Sequence, residues 1–309
     1  MSNTGYAQWL RKYRLLIKPK SGSNALDVSQ LRITFTCIKS TTEKPNFSQV
    51  VVYNLNQQTI ASIKAGDTVV LEAGYEGGNF GMIFTGQIVQ PYTMKEDGTD
   101  VALVLIIQDG DEYLNSAFTA ETVAINSTPK DILGICSKGS DGLGTISKDL
   151  PKTKLPRGKV LFGSSASYVS KIAKSSHSQF YVEDGKVNIV AAPDYDSKTA
   201  VELNPDTGLI GIPSQTDDGV SGQCLINPSI KLNTLLYINS RLVTAKAASL
   251  GQDGTVQQTA INTDGVYRIV KLTYEGDTHG DPWYCTFEAV TQTGAKLAAQ
   301  EKDVVSPWR

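Results

Sequence analysis

Residues 266–290 read "VYRIVKLTYEGDTHGDPWYCTFEAV", and the reading of this stretch separates two kinds of protein. At its centre Asp277, His279 and Asp281 alternate. Alternate residues of a strand share a face, so three such side chains can converge. His279-Gly280-Asp281 also supplies the H-x-D half of a non-haem iron triad. That chemistry needs a second histidine. None follows position 281, and the other histidine of the chain, His177, stands far upstream in the polar "SSHSQ". A hairpin explains more of the stretch. Val266, Arg268, Val270, Leu272 and Tyr274 alternate with Tyr267, Ile269, Lys271 and Thr273; Trp283, Cys285, Phe287 and Ala289 alternate with Tyr284, Thr286, Glu288 and Val290. Between the two runs lie Gly276, Gly280 and Pro282, where glycine supplies positive φ and Asp and Thr side chains bond back to the turn. The expectation is a long β-hairpin with a polar tip and no metal.

Working outward, the first third reads as strands. "YRLLIKP", "LRITFTCIKS", "SQVVVYNL", "DTVVLEAGY", "GMIFTGQIVQPYTM" and "VALVLIIQD" are rich in β-branched and aromatic residues, with Gly, Asn, Asp or Pro between them. "NLNQQTIASIKAGD" predicts a short helix with Asn56 as N-cap and Gly66 as its stop, "YEGGNFG" a glycine-rich hairpin tip, and "DEYLNSAF" a short helix capped by Asp111. In the middle third, Ser127 or Thr128 followed by Pro129 starts a helix that Gly139 ends. A strand, a helix over about 165–175 and a hairpin turning at Asp184-Gly185 complete a small α+β unit. The last third is β again, with short strands around Asp218-Gly219, another in "TLLYINSRLV", and the long hairpin. Residues 245–264 are polar and aperiodic and read as a long mobile loop. The tail reads as a loose helix and coil. "GDTVVLEAGYEG" and "LNTLLYINS" give the outer thirds a faint internal likeness.

Composition restricts the function. The net charge is -2, so no global field steers the chain to nucleic acid or membrane. The cluster Arg11, Lys12, Arg14, Lys18, Lys20 is local and reads as a solvated edge. Cys37, Cys136, Cys224 and Cys285 stand far apart, form no C-x-x-C and sit among strand-like neighbours, as buried free thiols do in a reducing compartment. "MSNTGYAQWLRKY" lacks the pattern of a signal peptide, and "VALVLII" is too short to span a bilayer; synthesis in the cytoplasm without the general secretion route is expected. No nucleophile elbow and no phosphate-binding loop occurs. "GSDGLG", 139–144, has no parallel βαβ unit around it and reads as a flexible connector. The carboxylate pairs Asp109/Asp111, Asp194/Asp196 and Asp217/Asp218 all adjoin turn residues, where Asp is common. No catalytic, cofactor-binding or metal-binding residue is assigned.

Three segments then carry a resemblance. "NFSQVVVYNLNQQTIASIKAGDTVVLEAGYEGGNFGMIFTGQIVQ", 46–90, resembles the first domain of baseplate hub proteins from contractile-tailed bacteriophages of the Mu-like and related groups. "TGLIGIPSQTDDGVSGQCLINPSIKLNTLLYIN", 207–239, and "GVYRIVKLTYEGDTHGDPWYCTFEAV", 265–290, resemble their last domain, and the middle helix-then-hairpin fits as well. The resemblance implies a mainly β chain: two tube-like β-barrel domains, 1–124 and 201–309, flanking a small α+β domain, 125–200. It implies a structural, non-enzymatic hub that forms a homotrimer and adapts a six-fold tail tube to a three-fold spike. The implied partners are further copies of itself, the tail tube protein, the central spike protein, the baseplate wedge proteins and the tape measure protein. DNA is a partner only in transit, and no membrane is involved. The implied location is the virion tail baseplate, after assembly in the host cytoplasm. Three other readings stay open: a hub or spike part of a type VI or other contractile injection system; a β-rich carbohydrate- or receptor-binding module, for which Trp9, Trp283 and Trp308 make a poor sugar platform; and an iron-dependent oxygenase built on His279 and Asp281.

Overall fold

The computed structural model describes residues 10–20, 22, 24–96, 100–146, 150–191, 200–244, 249–250, 256–257 and 265–291. Strands come first in chain order: β1 Arg11–Lys18, β2 Leu26–Asp27, β3 Ile33–Ser40 and β4 Asn46–Tyr53. Helix α1, Gln57–Ser62, leads to β5 Thr68–Tyr75, β6 Phe80–Glu96 and β7 Asp100–Asp109. The middle holds β8 Phe118–Val123, α2 Pro129–Cys136, β9 Leu143–Ile146, β10 Lys159–Ser164, α3 Ser165–Ser175, β11 Ser178–Glu183 and β12 Lys186–Ala191. The last part holds β13 Val201–Leu203, β14 Leu209–Gln215, β15 Gly219–Leu225, β16 Leu235–Ile238, β17 Ser249–Leu250, β18 Val256–Gln257, β19 Val266–Asp277 and β20 Trp283–Thr291.

The alternation read in the first strands is what buries them. Along β3, Ile33, Phe35, Cys37 and Lys39 face inward, and along β4, Asn46, Ser48, Val50 and Val52 do. The α1 N-cap is Asn56, whose side chain accepts from Gln58 N. The helix ends earlier than expected, at the extended C-cap Ile63; Gly66, at φ +90°, serves the following turn instead. The segment after Asp111 is a single π-helical turn over Glu112–Ser116, and the Asp111 side chain accepts from Asn115 Nδ2 rather than capping the backbone.

A mainly β chain with an α+β insert is what the structure has, but the two outer β units are not separate. Their strands form one 13-stranded sheet, with a path β14-β15-β20-β19-β3-β4-β7-β6-β5-β1-β2 and with β13 and β16 attached beside β19. β3 and β19 each have an edge to satisfy, and they pair with each other from Ser40↔Lys271 to Thr34↔Asp277. The path is open: β14 and β2 stand at its ends and do not pair, so no closed barrel forms among the described residues. One hydrophobic core, from Leu15 through Val50 and Phe84 to Phe287, serves both outer units.

The long hairpin is present, with one correction to its pattern. On β20, Trp283, Cys285, Phe287 and Ala289 are buried, in step with the alternation. On β19 the register slips between Ile269 and Lys271. Tyr267 and Ile269 face in before the slip, and Leu272 and Tyr274 face in after it. A bulge inserts one unpaired residue and reverses which parity faces the core, so strict alternation assigned Tyr267 and Ile269 to the wrong side.

The middle unit has a second core that draws on Tyr113, Leu133, Leu161, Val169, Phe180 and Ile189. Thr128 and Asp131 form a capping box at the start of α2, with Pro129 in its first turn. "GSDGLG" is not a loose connector. Asp141 N donates to Gly185 O at 3.0 Å, Val187 N donates to Gly142 O at 3.0 Å, and β9 continues as a parallel neighbour of β12. Within 245–264 only β17 and β18 are described; they pair antiparallel, so this stretch holds a small ladder as well as loop. The remainder of that stretch, the tail from 292, Trp9, Trp308, Asp194 and Asp196 lie outside the described residues. No helix among the described residues is long and apolar enough to cross a membrane.

Candidate functional site

The tip of the long hairpin is a stitched junction. Asp277 Oδ2 accepts from Arg32 Nη2 at 2.8 Å, and Oδ1 accepts from His279 N at 2.9 Å. The bond from Arg32 holds the Asp277 carboxyl below its ordinary range. Thr278 Oγ1 accepts from Ile33 N at 3.0 Å and lies 3.0 Å from His279 Nδ1. From β1, Arg11 donates to the carbonyls of Asp277 at 3.2 Å and Asp281 at 2.9 Å and reaches that of Gly280, while its guanidinium lies 5.5 Å from the Trp283 ring centroid. Arg32 lies over Tyr53 in the same way, at 4.7 Å. Of the triplet that suggested a ligand set, Asp277 binds Arg32 beside β3 through its carboxylate, Asp281 binds Arg11 of β1 through its backbone carbonyl, and His279 bonds within the turn. His177 is held at φ +50° in the turn after α3, among the elements of the second core. Among the described residues no three His, Cys, Asp or Glu side chains are grouped to hold a metal ion.

The carboxylate pairs separate into different roles. Asp217 and Asp218 are exposed in the β14–β15 turn. Asp109 is buried at the end of β7. Its two oxygens accept from Asp184 N at 2.7 Å and Gly185 N at 2.9 Å, and so hold the β11–β12 turn. Burial pushes its carboxyl up to about 6, against the bonds from that turn and the field of Lys39. Asp184 and Gly185 both have positive φ, +52° and +75°, as a two-residue hairpin turn requires.

Lys39 is the member of this cluster that pattern reading missed. It is 3% exposed, and its Nζ lies 3.0 Å from Glu183 Oε1 and 3.0 Å from Asp184 Oδ1. Burial alone would lower its pKa, but the two carboxylates outweigh burial and raise it. Burial raises Glu183 in turn, partly offset by Lys39. Beside them Asn46 Nδ2 donates to Val182 O at 2.9 Å. Tyr181 and Val190, from the hairpin of the middle unit, enter the core of the large sheet. A polar clasp and an apolar edge thus seat the middle unit on β3, β4 and β7. The sequence signal for Lys39 was its phase, in step with Ile33, Phe35 and Cys37 on the inward face. Such an ion pair adds little over an apolar equivalent, but removing one partner leaves a buried charge at a cost of about 3–5 kcal/mol. All four cysteines are buried and free. These features can position and join; they offer no nucleophile, base and oxyanion donor around a common cleft.

A family model described as baseplate hub gp41 matches residues 20–289. The 43 kDa tail protein of prophage MuSo2 from Shewanella oneidensis superposes with a TM-score of 0.57 at 10% identity, covering 91% of this chain and 99% of that one. A tail protein from Neisseria meningitidis MC58 gives 0.57 at 10% identity, over 93% and 99%. An Escherichia coli protein, c3393, described as a component of the type VI secretion system, gives 0.52 at 10% identity, over 92% and 79%. At this identity the three likenesses are of fold. No curated protein matches the sequence.

Proposed function

The chain belongs to the baseplate hub gp41 family, and from that premise we propose that it is the structural hub of a contractile phage tail, closing as a homotrimeric ring between the six-fold tube and the three-fold spike. Membership makes it a baseplate component; the ring, its symmetry and its lumen are our reading. The observation that carries it is the family match over 20–289, nearly the whole chain. The fold likeness to a prophage tail protein and to a second tail protein, each covered almost end to end, supports it. So does the open sheet, whose terminal strands need neighbours that a closed ring supplies without leaving a growing end. In this reading 1–124 and 201–309 are the two tube-like units of each chain, and 125–200 is the peripheral one. Its neighbours are the tail tube, central spike, wedge and tape measure proteins, and DNA passes through without being held. It acts without catalysis, in the virion, after assembly in the host cytoplasm. Light scattering and negative-stain imaging test the ring. Three chains around a central hole are expected; a monomer that stays monomeric when mixed with its tube and spike proteins would refute it.

The likeness to c3393 favours a second reading, a hub part of a type VI or related injection system. Gene neighbours decide between the two: capsid and portal genes mark a phage.

A further inference from the structure

We propose that the outer face of β8 and β10, together with the basic strip that leads into it, docks a protein partner whose contact surface is acidic and bears apolar side chains. The proposal rests on this face alone and not on the hub reading. β8 and β10 form a two-stranded sheet with Ser164↔Phe118, Phe162↔Ala120 and Val160↔Thr122 opposite one another. Leu161 and Val123 point inward and are buried. The other parity points out and is not polar. Phe118 is 58% exposed, Val160 68% and Phe162 73%, and the two phenylalanine rings pack edge to face with centroids 4.9 Å apart. Ile125, just past β8, is 59% exposed. Three large apolar side chains on one short two-stranded sheet, with Ile125 just beyond it, leave exposed apolar surface of the kind that marks an interaction site.

Charge decides what the patch accepts. The segment 151–159 carries Lys152, Lys154, Arg157 and Lys159 and no carboxylate, in a chain whose net charge is -2. It is tied beside the patch, because Asn126 N donates to Leu155 O at 3.0 Å and Leu155 N donates to Ser127 O at 2.9 Å. The nearby Lys138 is matched by Glu121. Lys152, Lys154 and Arg157 have no ion pair among the described residues. Apolar anchors beside unmatched cations fit a protein face with carboxylates around exposed apolar groups. A nucleic acid fits less well: Lys152, Lys154 and Arg157 lie on a separate strip and are not interleaved with the two rings, as a groove that tracks a backbone and stacks bases would need. A bilayer fits less well too, since the patch lies on a strand ladder rather than on an amphipathic helix.

The test replaces Val160 in the full-length protein with a photo-crosslinking amino acid, irradiates cells that make it together with the products of its neighbouring genes, and identifies the linked species by mass spectrometry. The expected product is a segment of another protein in which Asp and Glu outnumber Lys and Arg. Adding Phe162→Ser or Arg157→Glu is expected to lower the yield about ten-fold, as loss of a central anchor or steering charge does. Lys154→Gln, at an exposed position, should lower it less. Links to DNA, to lipid, to a second copy or to a basic segment would overturn the proposal, as would no link at all. Absence of the protein from purified tails would sink the hub reading and leave this outcome untouched.

Discussion

Asp109 binds its proton more tightly in the folded chain than an ordinary Asp does, because burial raises its carboxyl from 3.8 to about 6. Between these two values the folded state holds more protons than the unfolded state, so stability rises as pH falls through about 6 and levels off below about 4. Asp277 acts in the opposite sense. Its lowered carboxyl contributes stability above the unfolded value near 4, and that contribution is lost as pH falls further. The stability difference between the wild type and Asp109→Asn is expected to move in favour of the wild type between pH 7.5 and pH 5, by about 1 kcal/mol, measured by urea unfolding. A difference that does not move would show that Asp109 carries no extra proton. At this scale the sequence was legible where a residue serves its own turn, as Asp184-Gly185, Asn56 and Thr128 do. It was not legible where a side chain serves a distant element. Nothing local marks Asp109 as the acceptor for a turn 75 positions on, or Asp277 as the partner of Arg32 across 245.

Among the elements, the long hairpin shows both the strength and the limit of alternation. β20 follows it from Trp283 to Ala289, while β19 changes parity at the bulge. Apolar residues stand at both parities around Val270, so no count of hydrophobic positions could locate the slip. Deleting Val270 should regularise the ladder and keep Tyr267, Ile269, Leu272 and Tyr274 inward. Its main loss is the bond from Thr41 N to Val270 O, about 1 kcal/mol. Deleting Thr273 should be far worse, since it would bring Lys271 opposite Phe287 on the buried face. Thermal melts of the two variants distinguish them: a modest shift for the first, and loss of the cooperative transition for the second. Equal effects would mean that the bulge does not set the register. β8 and β9 were missed for another reason. "FTAETV" and "LGTI" are short; the outward residues of the first include Phe118 and Ala120, and all four of the second are half-buried, which leaves the period weak.

For the whole molecule, the decisive feature is the β3–β19 seam. The pattern of residues marks strands at both ends of the chain, and the resemblance implied two barrels for them; periodicity could not reveal the seam, because it reports which face is buried and says nothing of which edge pairs with which. With the seam in place the outer thirds share one core and should unfold as one unit. A fragment of residues 1–124 should therefore be insoluble or self-associating, with the β3 edge bare and the face around Phe35 stripped of Trp283, 5.6 Å away in the intact protein. A soluble, cooperatively folded monomer from that fragment would contradict this. The seam also sets a schedule on the ribosome. Cys37 lies opposite Tyr274, so β3 emerges long before β19 exists. At translation speeds of about 5–20 residues per second, that interval is on the order of 10–50 s. In that interval the middle unit, with its own core, can finish folding, while the nascent first third waits with one side of its sheet unclaimed and becomes a client for any chaperone that binds bare β edges.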